Sequence, residues 1–411
     1  MKAGWEERKI GDVCNFQRGL TFKRADGVEF SSKGVLRANN INKDTGTLNL
    51  SDIKYIREDF EVPAAKIVSK GCLLICTASG SKKHLGKVAL IDIDESYAFG
   101  GFMGQLKPAE EILSKFLYYF TRSDHYFKYI QSLTDGANIN NLRFNQLSEL
   151  KIALPPLEEQ KRIVAILDDA FEGLDRARAH TEANLQNAKD LFESYVENAL
   201  GKTGAAAVSL QTLLDNNSIT SHLDGNHGGQ YPRKSEFVSS GVPYISANCI
   251  KDNELSFDKC KFLTPERAKT LRKGVARNND VIFAHNATVG PVTLLKTEEE
   301  KVILSTSLTY YRCNPEKIYP QFLVYEMRGS NFKRQYETVM RQSTRNQVPI
   351  TTQRKFFHTI PSISDQIAIA DKCYEIEIQT RKLIKEYESK LKDLDDLRQS
   401  LLQKAYAGDL T

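Results

Sequence analysis

The clearest order in the chain is a seam of apolar and small positions that returns every three or four residues from Leu157 to Leu200. It runs through Ile163, Leu167, Ala170, Leu174, Ala177, Thr181, Leu185, Ala188, Phe192, Tyr195 and Ala199, with no proline and only Gly173 inside it. Steps of four and three put these side chains on one face of an α-helix, as in a coiled coil. Residues 363–406 repeat the pattern through Ile369, Cys373, Ile376, Leu383, Tyr387, Leu391, Leu394, Leu401 and Ala405. Each helix would hold about 44 residues, roughly 66 Å at ~1.5 Å per residue. One helix cannot bury such a stripe alone. The spacing therefore predicts that the two helices pair.

The two helical stretches are also copies of each other. At a constant offset of 206, Pro155 meets Pro361, Gln160 meets Gln366, Ile163 meets Ile369, Leu185 meets Leu391 and Ala199 meets Ala405. The blocks between them repeat more loosely, Ala38-Asn39-Asn40-Ile41 answering Ala247-Asn248-Cys249-Ile250. Gly86-Lys87-Val88-Ala89-Leu90 likewise answers Gly290-Pro291-Val292-Thr293-Leu294. Short β-type runs at Val35–Arg37, Leu73–Thr77 and Val88–Ile93 are matched by Tyr244–Ser246, Val281–Ala284, Val292–Leu295 and Leu308–Arg312, with polar Gly/Asn turns between. An amphipathic helix is expected after each set, over Ser114–Gln131 and Pro320–Met340. Residues 201–207 read as a flexible linker. The order is globule (1–154), long helix (155–200), globule (201–361), long helix (362–411), each globule α+β.

Composition adds limits. At 411 residues, 41% hydrophobic and 27% charged, the chain fits two or three globular domains. No apolar run approaches the ~18 residues of a membrane span. The charged start Met1–Val13 does not resemble an export signal. Seven cysteines, an odd number, read as reduced thiols of a cytoplasmic protein. Charge divides unevenly: residues 1–154 carry 22 Lys and Arg against 18 Asp and Glu, and residues 201–361 carry 22 against 14. The helical blocks carry 5 against 10 and 8 against 10. Basic globules suit a phosphate-bearing partner, and acidic helices suit protein partners.

The parts of a catalytic site are missing. Gly201-Lys202-Thr203 lacks the earlier glycine of a Gly-x-x-x-x-Gly-Lys-Thr phosphate loop. Phe99-Gly100-Gly101-Phe102-Met103-Gly104 is glycine-rich but closes no βαβ unit, and reads as a turn between strands. Cys72 and Cys76 have no second pair and suit a core strand. His222 and His227 sit in a His/Gly/Asn loop and fit an incidental or phosphate-contact role better than a metal site. Glu299-Glu300-Lys301 and Asn314-Pro315-Glu316 carry no nuclease or methyltransferase signature beyond chance. No catalytic residue and no metal ligand is assigned.

The helix start Leu154-Pro155-Pro156-Leu157-Glu158-Glu159-Gln160-Lys161-Arg162-Ile163-Val164-Ala165-Ile166-Leu167-Asp168 closely resembles the specificity subunit of type I restriction–modification systems. The ending Leu401-Leu402-Gln403-Lys404-Ala405-Tyr406-Ala407-Gly408-Asp409-Leu410 and the opening Trp5-Glu6-Glu7-Arg8-Lys9-Ile10-Gly11-Asp12-Val13 resemble the same family. The second helix start, Ile360-Pro361-Ser362-Ile363-Ser364-Asp365-Gln366, departs from the pattern and keeps one proline and the glutamine. The resemblance implies an α+β protein of two target-recognition domains joined by two long antiparallel coiled-coil helices with pseudo-twofold symmetry. The expected seam is Ile163, Leu167, Leu174, Leu185 and Phe192 with Ile369, Ile376, Leu383, Leu391, Leu394 and Leu401. The implied partners are double-stranded DNA read as a bipartite target, two modification (methyltransferase) subunits and restriction/translocase subunits. S-adenosylmethionine, ATP and Mg2+ would belong to those subunits, with no cofactor in this chain and no membrane.

Arg suits guanine, Asn and Gln suit adenine, and Lys more often holds phosphate. On that chemistry the expected DNA contacts of the first globule are Arg18, Lys23, Arg37, Asn39, Asn40, Ser79, Ser81, Lys82, Lys83, His84, Asn138, Asn140, Asn141 and Arg143. In the second they are Arg233, Lys234, Tyr244, Ser246, Asn248, His285, Asn286, Thr288, Arg345, Asn346 and Gln347. Asn39 and Asn248 follow strands and could instead close Asx turns. A coiled-coil scaffold without sequence-specific DNA binding is the alternative, but it gives no reason for two basic globules. A stand-alone enzyme would need a motif that is not found.

Overall fold

The computed structural model describes residues 2–43, 45–81, 84–134, 141–342 and 345–411. The chain divides into two compact units, Met1–Thr181 with Ser389–Thr411, and Glu182–Glu388. Each long helix, Leu157–Thr203 and Ile363–Ala407, contributes one part to each unit.

In the first unit a four-stranded sheet has the order Cys14–Arg18, Met103–Pro108, Leu73–Cys76, Val88–Leu90. The run Leu73–Cys76 is apolar at every position because both of its faces are covered. Leu73 and Ile75 join Phe116 and Leu117, while Leu74 and Cys76 join Leu36, Ile41 and Phe99 on the other side. A second sheet orders Gly27–Val28, Lys54–Ile56, Lys33–Leu36 and Ala98–Phe99, the last pair parallel. The second unit rebuilds both sheets. Ile219–Asp224, Leu308–Cys313, Val281–Asn286 and Thr288–Leu294 repeat the first order strand for strand. Here too Val281 and Phe283 enter one core, and Ile282 and Ala284 the other. Both Ala38–Asn40 and Ala247–Cys249 are single 3-10 turns, so the loose sequence repeat is a structural one.

The start of each long helix is fixed by the same device. Gln160 is fully buried; its Nε2 donates to the carbonyls of Glu111 (2.8 Å) and Pro155 (2.9 Å), and its Oε1 accepts from the Leu113 amide (2.8 Å). Gln366 does the same with Lys317 (3.0 Å), Pro361 (2.8 Å) and the Tyr319 amide (2.8 Å). The departures around Gln366 leave this clamp unchanged. Its partners are backbone groups, which do not depend on side-chain identity.

The helices pack on more than each other. Ile163, Leu167 and Leu174 are buried against Trp5, Phe116, Leu117 and Tyr119 of the globule as well as Leu402 and Ala405. Asp175 and Arg178 pair with Arg398 and Asp395, so these parts run antiparallel. In the second unit Val196 and Leu200 meet Ile369, Ala370, Cys373, Phe322 and Tyr325, with Phe192 half-buried beside them. Ile376 is buried; Leu185, Leu383, Leu391, Leu394 and Leu401 are half-buried. Near the helix ends the buried positions fall one residue later than expected, at Val196, Leu200 and Leu402 in place of Tyr195, Ala199 and Leu401, while Ala405 is buried where it was expected. A straight α-helix drifts ~20° per heptad from a strict seven-residue repeat, which over five heptads is about one residue.

Three boundaries differ from expectation. The first long helix continues to Thr203, and Ala207–Ser209 is a strand paired with Phe357–Thr359, so residues 201–207 are not a free linker. Each expected amphipathic helix is two helices, Ser114–Phe120 with Asp124–Thr134, and Pro320–Arg328 with Ser330–Arg341. Gly329 makes the second break, lying so close to Val196 that a β-carbon there would sit 2.9 Å from its Cγ1. Among the described residues no helix is long and apolar enough to cross a membrane.

Candidate nucleic-acid interface

In the first unit the central strand Leu73–Cys76 runs out into a loop that two other segments pin. The Leu142 amide donates to Thr77 O (2.7 Å), and Ala78 bridges Asn141. On the other side Phe102 O accepts from the Thr77 amide (2.9 Å), the Ala78 amide (3.1 Å) and Thr77 Oγ1 (3.0 Å). The segment after Arg18 closes the edge: the Gly19 amide donates to Met103 O (3.0 Å), and the Arg18 guanidinium lies 5.3 Å from the Phe144 ring centre. Gly19 has to be glycine, since a β-carbon there would fall 2.0 Å from Gly100 O. Arg18, Ser79, Ser81, Asn141 and Arg143 are thus gathered on one edge, Ser79 half-buried and the others exposed. Exposed His84 is pushed below the ordinary histidine range, first by desolvation and then by Lys87 and Lys43. Lys82, Lys83, Asn138 and Asn140 lie outside the described residues.

The second unit builds the same edge from other side chains. The Val348 amide donates to His285 O (2.8 Å), Asn286 bridges Gln347, and the Ala287 amide donates to Asn346 O (2.9 Å). Ala287 takes a left-handed backbone (φ 64°) at this tip, beside exposed Thr288. Ser246 and Asn248 join from the next turn: Ser246 Oγ donates to Asn248 Oδ1, and the Ala247 amide reaches Ser307 Oγ (2.9 Å), whose own carbonyl takes the His285 amide (3.0 Å). Arg345 and Asn346 are exposed and Gln347 half-buried.

Several expected contacts sit elsewhere. Asn40 is 1% exposed; its Oδ1 takes the Arg37 amide (2.8 Å) and its Nδ2 serves Asn49 O (2.8 Å) and Asp52 O (3.0 Å), so it is a turn-closing residue. Asn39, which the sequence suggested for that role, is exposed and donates to Asp52 Oδ2 (2.6 Å), as does Arg37 (3.2 Å). Tyr244 is buried beside Phe237. His285 is buried, its Nδ1 on Val348 O (2.9 Å), and cannot face a ligand. Tyr244 and His285 lie within strands and Asn40 closes the 3-10 turn that follows one, and all three side chains turn inward. Lys23, Arg233 and Lys234 are exposed at matching 3-10 turns. His222 is buried on Gln353 (3.1 Å), and His227 pairs with Asp224 (2.6 Å).

Sequence reasoning missed Arg122 and Arg328, which hold corresponding hairpins by backbone carbonyls: Arg122 reaches Lys43 O (2.7 Å) and Arg328 reaches Asn253 O (2.9 Å). They lie 206 residues apart, so the repeat offset, extended out of the helices, would have found them. It also missed Phe102, a large apolar side chain 71% exposed on the edge.

Residues 2–186 match the family model described as the type I restriction modification DNA specificity domain. The chain is 24% identical to the type I restriction enzyme EcoKI specificity subunit of Escherichia coli, over 99% of this chain and 89% of that one. It is 26% identical to the StySPI specificity subunit of Salmonella potsdam, with the same shares covered. Residues 2–186 thus form a type I specificity domain, and nearly the whole chain is similar to type I specificity subunits. Its fold is also that of a chain in a solved structure on complex assembly and conformational transition of the type I R-M system, with TM-score 0.77 and 19% identity over 100% of this chain and 99% of that one. The two polar edges, one per unit, are regions where equivalent backbone carries unlike side chains.

Proposed function

We propose that this chain is the DNA sequence-specificity subunit of a type I restriction–modification complex, each globule reading one half of a bipartite, asymmetric double-stranded target. The globules, residues 1–154 and 201–361, act as target-recognition domains. The long helices space them and dock two modification subunits, and restriction/translocase subunits complete the assembly. In this reading S-adenosylmethionine, ATP and Mg2+ are handled by the partner subunits, which carry adenine-N6 methylation and ATP-driven cleavage in the cytoplasm. This chain supplies base and phosphate contacts and no reacting group.

The observation that carries the reading is the duplicated edge with exchanged side chains. Asn141 answers Gln347 and Ala78 answers Asn286 on matching backbone bridges, while Phe102 answers Ser307. Two unlike half-sites require this: one scaffold to set register on the phosphates and different side chains to read the base edges. A scaffold protein has no use for such divergence.

Mapping methylated adenines in DNA from cells carrying the complete system is the test. Two unlike half-sites at a fixed separation are expected. Substituting Asn346 and Gln347 by alanine should then relax one half and leave the other. Methylation that follows no split sequence overturns the reading.

A further inference from the structure

The turn Gly100-Gly101-Phe102 holds an aromatic ring that the fold itself does not use. Phe102 is 71% exposed, and among the described residues no other ring lies against it. Single exposed apolar side chains are common and need no explanation by themselves. This one differs in how firmly its backbone is held and in what surrounds it. Three hydrogen bonds from Thr77 and Ala78 converge on its carbonyl, at 2.9, 3.1 and 3.0 Å. Close packing of Gly19 on Gly100, and of Gly101 near Thr21 Oγ1, fixes the turn from the other side. Ala78 is the residue bridged to Asn141, and Gly19 follows Arg18. The turn that carries the ring therefore stands between the two segments that bear the polar and cationic side chains of the first edge.

We infer that Phe102 is a base-stacking residue of the first globule, its ring packing against a base face of the first half-site while the polar side chains beside it read base edges. The inference rests on the proposed DNA-reading function. Aromatic rings stack on bases irrespective of sequence and can wedge into a base step, and a rigid backbone lets the ring do so without being ordered on binding. The second unit lacks this contact. Its equivalent, Ser307, turns its hydroxyl inward to the Ala247 amide and Ser305. The two half-sites are thus held differently, one by stacking plus polar contacts, the other by polar contacts only.

The test uses the complex of this chain with its modification subunits and a duplex carrying the mapped target, with 2-aminopurine placed in one half-site or the other. With wild-type protein, fluorescence should change on binding in the half-site that the Asn346 and Gln347 substitutions leave intact. Phe102→Ala should abolish that change and weaken binding about tenfold to a hundredfold. Phe102→Trp should restore both, and Phe102→Leu should not. Phe30, 78% exposed but leaning on Tyr55 at 5.1 Å, is the control, and Phe30→Ala should leave both signals alone. Because Phe102 is exposed, its variants keep the fold, which thermal unfolding verifies. A wild-type complex that ignores the duplex overturns the functional reading and this inference with it. A wild-type complex that binds, with Phe102→Ala indistinguishable from it, overturns the inference alone.

Discussion

Tyr119 and Tyr325 occupy equivalent places where a globule meets its long helix, and each donates its hydroxyl to a helix carboxylate, Asp168 or Glu377, yet the helix positions beside them differ in chemistry. In the first unit the helix presents Phe171 and Leu174, both buried. Phe171 meets the Tyr119 ring edge-on at 5.2 Å, and Arg398 lies 4.4 Å from its ring centre. In the second unit the positions 206 residues later are Glu377 and Thr380. Glu377 accepts from Arg328 (3.1 Å), Arg381 (2.8 Å) and Tyr325 (3.2 Å), and Arg328 also holds Asn253 O and Val292 O. The glutamine clamps next door are identical in both units. Groups that satisfy backbone must be kept when a fold is duplicated, because the backbone is the same. Groups that only fill space can be exchanged for anything that fills it and leaves no charge alone.

The largest effects should come from emptying each junction. Phe171→Ala removes a buried ring and should destabilise the first unit by about 3–4 kcal/mol, with little salt dependence. Glu377→Ala strands the Arg328 guanidinium, whose side chain is only 12% exposed, and should cost the second unit about 3 kcal/mol. Unit-resolved hydrogen exchange reads both. If Glu377→Ala is silent while Phe171→Ala is not, the ionic junction is not a structural substitute for the apolar one.

The clamps test the other side of the comparison. Gln160→Ala and Gln366→Ala each leave buried backbone groups without partners and should cost about 2–3 kcal/mol each. The two values should agree more closely than those of the two junctions, since the clamps are alike atom for atom. Thermal unfolding followed by exchange in each unit checks this, and a difference above ~2 kcal/mol would mean that the shared geometry hides unequal surroundings.

Acid should separate the units next. Burial lowers the His222 ring to about 4, despite the hydrogen bond to Gln353 that works the other way. An unfolded histidine titrates near ~6.5, so between these values the unfolded state binds the extra proton. The contribution is complete above pH ~6.5 and lost as pH falls towards 4, about 2 kcal/mol of it by pH 5. His285, also lowered by desolvation, acts in the same direction. The histidines of the first unit, His84, His125 and His180, are exposed. Exchange in Ile219–Asp224 should therefore rise between pH 7 and pH 5 relative to Cys14–Arg18, after correction for intrinsic rates. Equal behaviour of the two strands removes the buried histidine from the account.

The long helices, the duplication and most strands were legible because they rest on periodicity and on copying, which a sequence displays directly. The clamp residues stood out as matched glutamines, though their role needed the fold. The edge was half legible. Arg18, Ser79 and Asn141 fall together in the first unit, and Asn286 and Gln347 in the second, but Asn40, Tyr244 and His285 turn inward, and residue type cannot tell an asparagine that closes a turn from one that faces solvent. Glu377 and Phe102 were invisible for opposite reasons. One is a charge at an apolar position of the repeat, the other an apolar ring in a loop read only as a turn.

The smallest effect concerns the outer layer of the ionic junction. Arg381 bridges Glu377 and Glu254, but its side chain is 45% exposed and that of Glu254 66%. Water screens such a pair, so its coupling should stay under about 1 kcal/mol and shrink as salt is raised. Glu254 is held below its ordinary carboxylate range mainly by the Arg381 hydrogen bond, so Arg381→Met should move its titration back upwards. A double-mutant cycle over Glu254→Gln and Arg381→Met, at low salt and at about 0.5 M, separates this layer from the Arg328–Glu377 pair beneath it. If the coupling exceeds ~2 kcal/mol and survives the salt, the four charges act as one desolvated network. The second junction would then be as rigid as the apolar one, and the contrast between them would be one of composition only.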